Sequence, residues 1–241
     1  MESGHFEQIE TGLIRKIVRH VDMFVNVGAN IGYYCCLAIK EGKRAIAFEP
    51  LDGNLRYFYR NMLANNWEDK VEVYPCALSD HIGIMPLYGG GTGASLIKGW
   101  AGQPEEPSMF VPVTTLDEVL ADRVKGKTSL ILVDVEGAED DMLEGAARIL
   151  TQSPKPIWLV EIAINEHQPR GLAINPRLLQ TFSRFLDNGY QCLTADGCLR
   201  RVTKNDIARV IRDETDIIGT HNFIFAEDRV MDKIHDAGRI V

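Results

Sequence analysis

Short β-rich runs alternate with amphipathic helical stretches along almost the whole chain, and this alternation most constrains the fold. Residues 23–28 (MFVNVG) read as a strand ending in glycine, and 31–41 as a helix apolar on most faces. Residues 44–50 (RAIAFEP) form a second strand, stopped at Pro50. Leu51, Leu55, Phe58 and Met62 then recur at helical spacing, so 51–65 is expected to be an amphipathic helix. A third strand is read at 71–78 (VEVYPCAL), a short one at 109–113, and a helix at 115–124 capped by Thr115 or Asp117. Residues 129–137 (SLILVDVEG) and 156–163 (PIWLVEIA) are apolar runs of the kind found in strands buried on both faces. Helices are expected at 138–152 and 176–188. Asp196-Gly197 lies between two strand-like runs, a hairpin signal, and a short helix and a last strand at 221–227 follow. Parallel strands need crossover connections, so this order implies an open, mostly parallel sheet with helices on both faces.

The chain has 241 residues, enough for one domain with a sizeable core. The expected division is a helical lead at 1–22 and a single domain at 23–241. A Gly-rich loop insertion, partly a hairpin, is read at about 79–108. The formal charge of −8 disfavours a phosphate-backbone partner. Five cysteines, an odd count without zinc-like CxxC spacing, point to a reducing cytoplasm. The N-terminus has no apolar signal core. The uncharged stretch at 23–39 carries asparagines and glycines, so no membrane span is expected.

In open parallel sheets ligands bind beyond the carboxyl ends of the strands, near the switch in strand order. The first strand ends VGANIG, where Gly28 and Gly32 bracket a tight turn. A dinucleotide fingerprint places glycine at its middle position, and this chain has Asn30 there. That loop suits a ligand without a pyrophosphate, such as S-adenosylmethionine; the bland reading is a glycine connector. The second strand ends in Glu49-Pro50. An acid there can accept both hydroxyls of a ribose, or it is a solvated acid before a helix. The third strand ends near Cys76, Ala77 and Leu78, where an adenine edge could be read or where the chain simply turns.

The fourth strand ends DVEGAEDDMLE. Glu139, Asp140 and Asp141 fall in a first helical turn, where acids complement the helix dipole. Asp134 and Glu136 are less easily explained. Asp134 follows an apolar run, and a buried carboxylate needs a cation, a metal or a proton. Glu161 ends the fifth strand and is expected beside Glu136 at the pocket mouth. His167 follows in the next loop and is either catalytic or an ordinary surface histidine. The glycines near Gly91 lack the strand–GK[ST]–helix context of a phosphate loop, so a lid or plain loop is expected there.

Taken together, FVNVGANIGYY, AFEPLDGN, CALSD, TLDEVL and LVDVEGAEDDMLEGA followed by a VEI strand resemble the FkbM family of S-adenosylmethionine-dependent methyltransferases. The resemblance implies a class I methyltransferase fold, a Rossmann-like three-layer α/β sandwich with a mostly parallel seven-stranded sheet and an antiparallel last strand. It implies S-adenosyl-L-methionine as cofactor and O-methylation of a hydroxyl on a small molecule, sugar or glycan. Two residues depart from the family pattern. Asn26 stands where the family usually has Asp, and Leu132 where it often has Lys.

The expected donor contacts are Asn26, Gly28, Ala29, Asn30, Gly32, Glu49, Pro50, Ala77 and Asp134. Glu136 is the first choice of general base, with Glu161 and His167 behind it. Asp134, Glu136 and Glu161 are also hard oxygen ligands, so a divalent cation is a mechanistic variant, although no metal is expected. The alternative function is a non-catalytic nucleoside-binding module on the same fold.

Overall fold

The computed structural model describes residues 7–231 and 234. The chain runs α1 (Gln8–Val18), β1 (Met23–Val27), α2 (Tyr33–Lys40), β2 (Ala45–Phe48), α3 (Asp52–Ala64) and β3 (Val71–Tyr74). Next come β4 (Ala77–Leu78), β5 (Gly83–Leu87), β6 (Met109–Thr114) and α4 (Leu116–Leu120). The chain continues through β7 (Ser129–Val133), α5 (Glu139–Glu144), α6 (Ala147–Thr151) and β8 (Ile157–Glu161). It closes with α7 (Leu178–Leu186), β9 (Gln191–Thr194), β10 (Arg201–Val202), α8 (Lys204–Asp213) and β11 (Asn222–Ala226).

The main sheet has the order β10-β9-β11-β8-β7-β1-β2-β3. β1 pairs in parallel with both β2 and β7, so the strand order reverses at β1. β11 is antiparallel to β8 and β9, as expected for the last strand. The sheet gains an eighth strand because the Asp196-Gly197 hairpin adds β10 at its edge. One core cluster covers each face of this sheet, which explains why β2 and β7 are buried along their whole length.

Two expectations need correction. The third strand does not run through to Leu78. Pro75 has no N–H to continue the ladder, and the chain turns there. Ala77–Leu78 instead pairs with β6 in a small sheet of order β4-β6-β5. The helix expected at 138–152 is two short ones, broken at Gly145. A Cβ on Gly145 would lie 2.1 Å from the Ser79 carbonyl oxygen, so the backbones pack directly. The Thr115 hydroxyl caps α4 by accepting from the Glu118 N–H at 3.1 Å. Asp117, the other capping candidate, instead accepts the N–H groups of Arg148 and Ile149 at the start of α6. The insertion is partly a hairpin: β5 pairs with β6, and Tyr88 bridges Ser95.

Candidate active site

The switch in strand order opens a cleft at the carboxyl end of β1. The Asp134 N–H donates to the Val27 carbonyl at 3.0 Å, and the Gly28 and Ala29 N–H groups both donate to the Phe48 carbonyl. Beyond these bonds the loops diverge and leave two adjoining lobes. They share Gly28, Asn30 and Asp134.

The first lobe is lined by Val27, Glu49, Pro50, Cys76, Ala77 and Glu136, among others. Glu49 is 4% exposed, so it is not a solvated surface acid. Its Oε2 accepts from the Asn30 N–H at 2.8 Å, and its Oε1 from the Leu51 N–H at 2.8 Å and the Asn54 amide at 3.3 Å. Burial pushes its pKa up, and these hydrogen bonds oppose the shift. Glu49 therefore ties the loop after β1 to the start of α3. Ala77 reaches this lobe from the small sheet, not from the end of a third parallel strand.

The second lobe is bounded by Glu7, Glu10, Asp134 and Glu161, with Asn26, Ala29 and Asn222. Among the described residues no Lys, Arg or His lines it. Burial raises the Asp134 carboxyl well above the usual range, and the charges of Glu161 and Glu136 add to the effect. Glu161 is pushed up to about 8 by burial and by neighbouring acids, Glu136 first. Asn26 is 2% exposed; its amide donates to Cys35 Sγ at 3.8 Å, and its carbonyl oxygen is buried with no partner. Burial of these acids and of an unpaired carbonyl is costly unless protons or a hydrogen-bonding partner relieve it.

Glu136 stands at the first lobe with φ +54, outside the regions most residues adopt. Its Oε2 accepts from the Trp100 indole N–H at 2.7 Å, and its backbone carbonyl from the Ser95 hydroxyl at 2.6 Å. Sequence reasoning missed both partners, which come from the Gly-rich insertion; a lone tryptophan in a glycine run was the only available signal. The insertion also contributes Gly91, whose carbonyl accepts from Asn54 at 3.2 Å.

Placement adds detail to the other candidates. Glu139, Asp140 and Asp141 lie in the first turn of α5, as expected, and Glu139 and Asp140 are buried, at 3% and 2% exposed. Glu139 Oε1 accepts from the Gly137 N–H at 2.9 Å, and burial pushes its carboxyl up to about 8. Asp140 pairs with Arg184 at 2.5 Å. Gly32 lines neither lobe; its φ is +84, and a Cβ there would lie 2.7 Å from the Phe58 ring, so its demand is packing. His167 is exposed and lines neither lobe; its ring lies 6.1 Å from that of Trp100. Among the described residues no group of three or more His, Cys, Asp or Glu side chains is arranged to hold a metal ion.

No helix among the described residues is long and apolar enough to cross a membrane. No protein of curated function matches the sequence. Among solved structures, the methyltransferase FkbM of Methylobacillus flagellatus KT is 20% identical with a TM-score of 0.52; the match covers 85% of this chain and 43% of that one. The present chain thus spans less than half of that relative's length. A precorrin-6y C5,15-methyltransferase from Geobacter metallireducens GS-15 is 9% identical with a TM-score of 0.41, covering 75% of this chain and 70% of that one. An rRNA methylase from Streptococcus thermophilus is 10% identical with a TM-score of 0.42, covering 89% and 90%. The α/β architecture, with its mostly parallel sheet and antiparallel β11, is that of class I methyltransferases. Residues 26–192 match the Methyltransferase FkbM domain, and the chain belongs to the FkbM family of methyltransferases.

Proposed function

We propose that this methyltransferase moves a methyl group from S-adenosylmethionine to a hydroxyl of a small molecule, sugar or glycan. The carrying observation is the acidic lobe beside Glu49, where no basic side chain among the described residues lines the lobe with Asp134 and Glu161, and the Asn26 carbonyl has no partner there. Those groups fit the ammonium and sulfonium charges of the donor. When bound, S-adenosylmethionine supplies an electrophilic methyl on a sulfonium.

The chain's own residues would do the rest. Glu49 accepts a ribose hydroxyl at Oε2, which carries one of its three N–H partners while Oε1 carries two. Cys76 and Ala77 wall the base, and Pro50 flanks it. Gly28, Ala29 and Asn30 bring backbone close to the donor, and Asp134 with Asn26 takes its ammonium. Glu136 accepts the proton of the acceptor hydroxyl. Glu161, with its raised pKa, hydrogen-bonds the acceptor and is the second candidate base. Much of the rate would come from holding the oxygen in line with the methyl at about 3 Å. The five free thiols fit a reducing compartment such as the cytoplasm.

The test is a calorimetric titration with S-adenosylmethionine and NADH, followed by an assay of S-adenosylhomocysteine release with hydroxylated acceptors. Tighter NADH binding would sink the donor assignment. Donor binding without release on any acceptor would favour a nucleoside-binding module. For Glu136→Gln, near-normal donor affinity and a loss of about a hundredfold or more in turnover are expected; the same loss in Glu161→Gln alone would move the base there.

A further inference from the structure

Three loops of the protein meet on one indole. Trp100 is 3% exposed and lies in the Gly-rich insertion. Its N–H donates to Glu136 Oε2 at 2.7 Å. From the same insertion the Ser95 hydroxyl donates to the Glu136 carbonyl. Gly137, with φ +94, leaves the space the indole needs; a Cβ there would lie 2.5 Å from the ring. On the other side the Ala101 N–H donates to the His167 carbonyl at 2.7 Å, and the His167 ring tilts 47° against the indole. Ala101, Glu136 and His167 all have positive φ, at 50°, 54° and 62°. Non-glycine residues keep that conformation where surrounding contacts over-determine it.

The two oxygens of Glu136 differ. Oε2 carries the indole hydrogen bond, whereas Oε1 has no hydrogen-bond partner among the described residues. Glu136 shares its lobe with Glu49 and Asp134. An N–H donated to one carboxylate oxygen fixes the plane of the group and leaves the other oxygen free to take a proton.

We propose that Trp100 is a positioning residue for the methyl transfer: its indole N–H locks Oε2 of Glu136 so that Oε1 is the proton acceptor. The proposal rests on the reading of Glu136 as base. It also gives the insertion a role beyond shaping the acceptor site, since the insertion delivers the group that sets the base.

The tie can be read without any substrate. A ¹⁵N-labelled sample has three tryptophans, so the Trp100 indole resonance is assigned by its loss in Trp100→Phe. That resonance should shift in Glu136→Gln, whose neutral amide oxygen is a weaker acceptor than a carboxylate, and stay still in Glu161→Gln. An indole resonance unmoved in Glu136→Gln would overturn the tie. With S-adenosylmethionine and an acceptor from the release assay, Trp100→Phe should lower kcat about tenfold or more at unchanged donor affinity. It should add nothing in a Glu136→Gln background. Losses that simply add would make Trp100 a structural residue and end the proposal. Failure of the parent protein to bind donor would instead strike the methyl-transfer reading, and the indole resonance would still report on the tie.

Discussion

The backbone carbonyl of Asp134 occupies the place where a side chain on Gly28 would begin: a Cβ there would lie 1.7 Å from that oxygen. Gly28 also has φ +78. The two ends of the central parallel pair can therefore touch only through glycine, and this contact sets the floor shared by both lobes. Gly28→Ala must push β1 and β7 apart or twist the loop. A loss of more than about 2 kcal/mol of stability is expected, together with loss of donor binding. Denaturant unfolding and calorimetry would check both; an alanine variant of parental stability would contradict the close approach.

Glu49 combines ligand and scaffold. Glu49→Ala should weaken S-adenosylmethionine binding by about 1.5–3 kcal/mol, the range for hydrogen bonds to a charged group. It should also cost about 1 kcal/mol of stability, because the Leu51 N–H at the start of α3 loses its acceptor. Stability lost with donor affinity intact would leave Glu49 as a capping residue only.

Glu139 and Glu161 are both pushed up to about 8, against an ordinary glutamate value near 4.3. The folded protein therefore keeps protons that the unfolded chain releases. Between about pH 4.5 and 8 stability should fall as pH rises, and it should level off above the folded-state values. Unfolding free energies across this range would show the slope, and Glu139→Gln and Glu161→Gln should each flatten it. Saturating S-adenosylmethionine should also flatten it, since a cation favours the ionised acids. A rise in stability over the same window would refute the assignment.

Asp140 is 2% exposed, and Arg184 lies 2.5 Å from it, with Arg177 at 3.5 Å. Removing a partner leaves a buried charge poorly compensated. Arg184→Ala is expected to cost about 3 kcal/mol, with Arg177 holding the loss to the low end of the usual range. Replacing both Asp140 and Arg184 by apolar residues should cost less than the Arg184 change alone. Thermal or chemical unfolding of the two variants would decide it.

Local pattern carried much of this structure. The runs before Gly28, Glu49, Asp134 and Glu161 are apolar because their strands are covered on both faces. Each run ends where the chain leaves the core, so the strand ends, and the acids on them, could be read directly. The hairpin at Asp196-Gly197 and the Thr115 cap were readable for the same reason, being contacts between residues close in the chain.

What periodicity could not show is which distant segments meet. Trp100 and Glu136 are 36 residues apart, and the insertion between them and the third strand has no readable code. Asp140 looks like a solvated helix start until α7 brings Arg184 against it. Ala77 looks like the end of a parallel strand until Pro75 sends it to a second sheet. The Phe58 ring against Gly32 is likewise a contact that spacing does not show. The sequence by itself determined the alternation, the sheet class and the row of acids at its carboxyl edge, because burial imprints a period on neighbouring residues. Only the tertiary structure decided which acids are paired, which are left without a cation and which is held by an indole, because those outcomes depend on contacts between segments that sequence spacing does not encode.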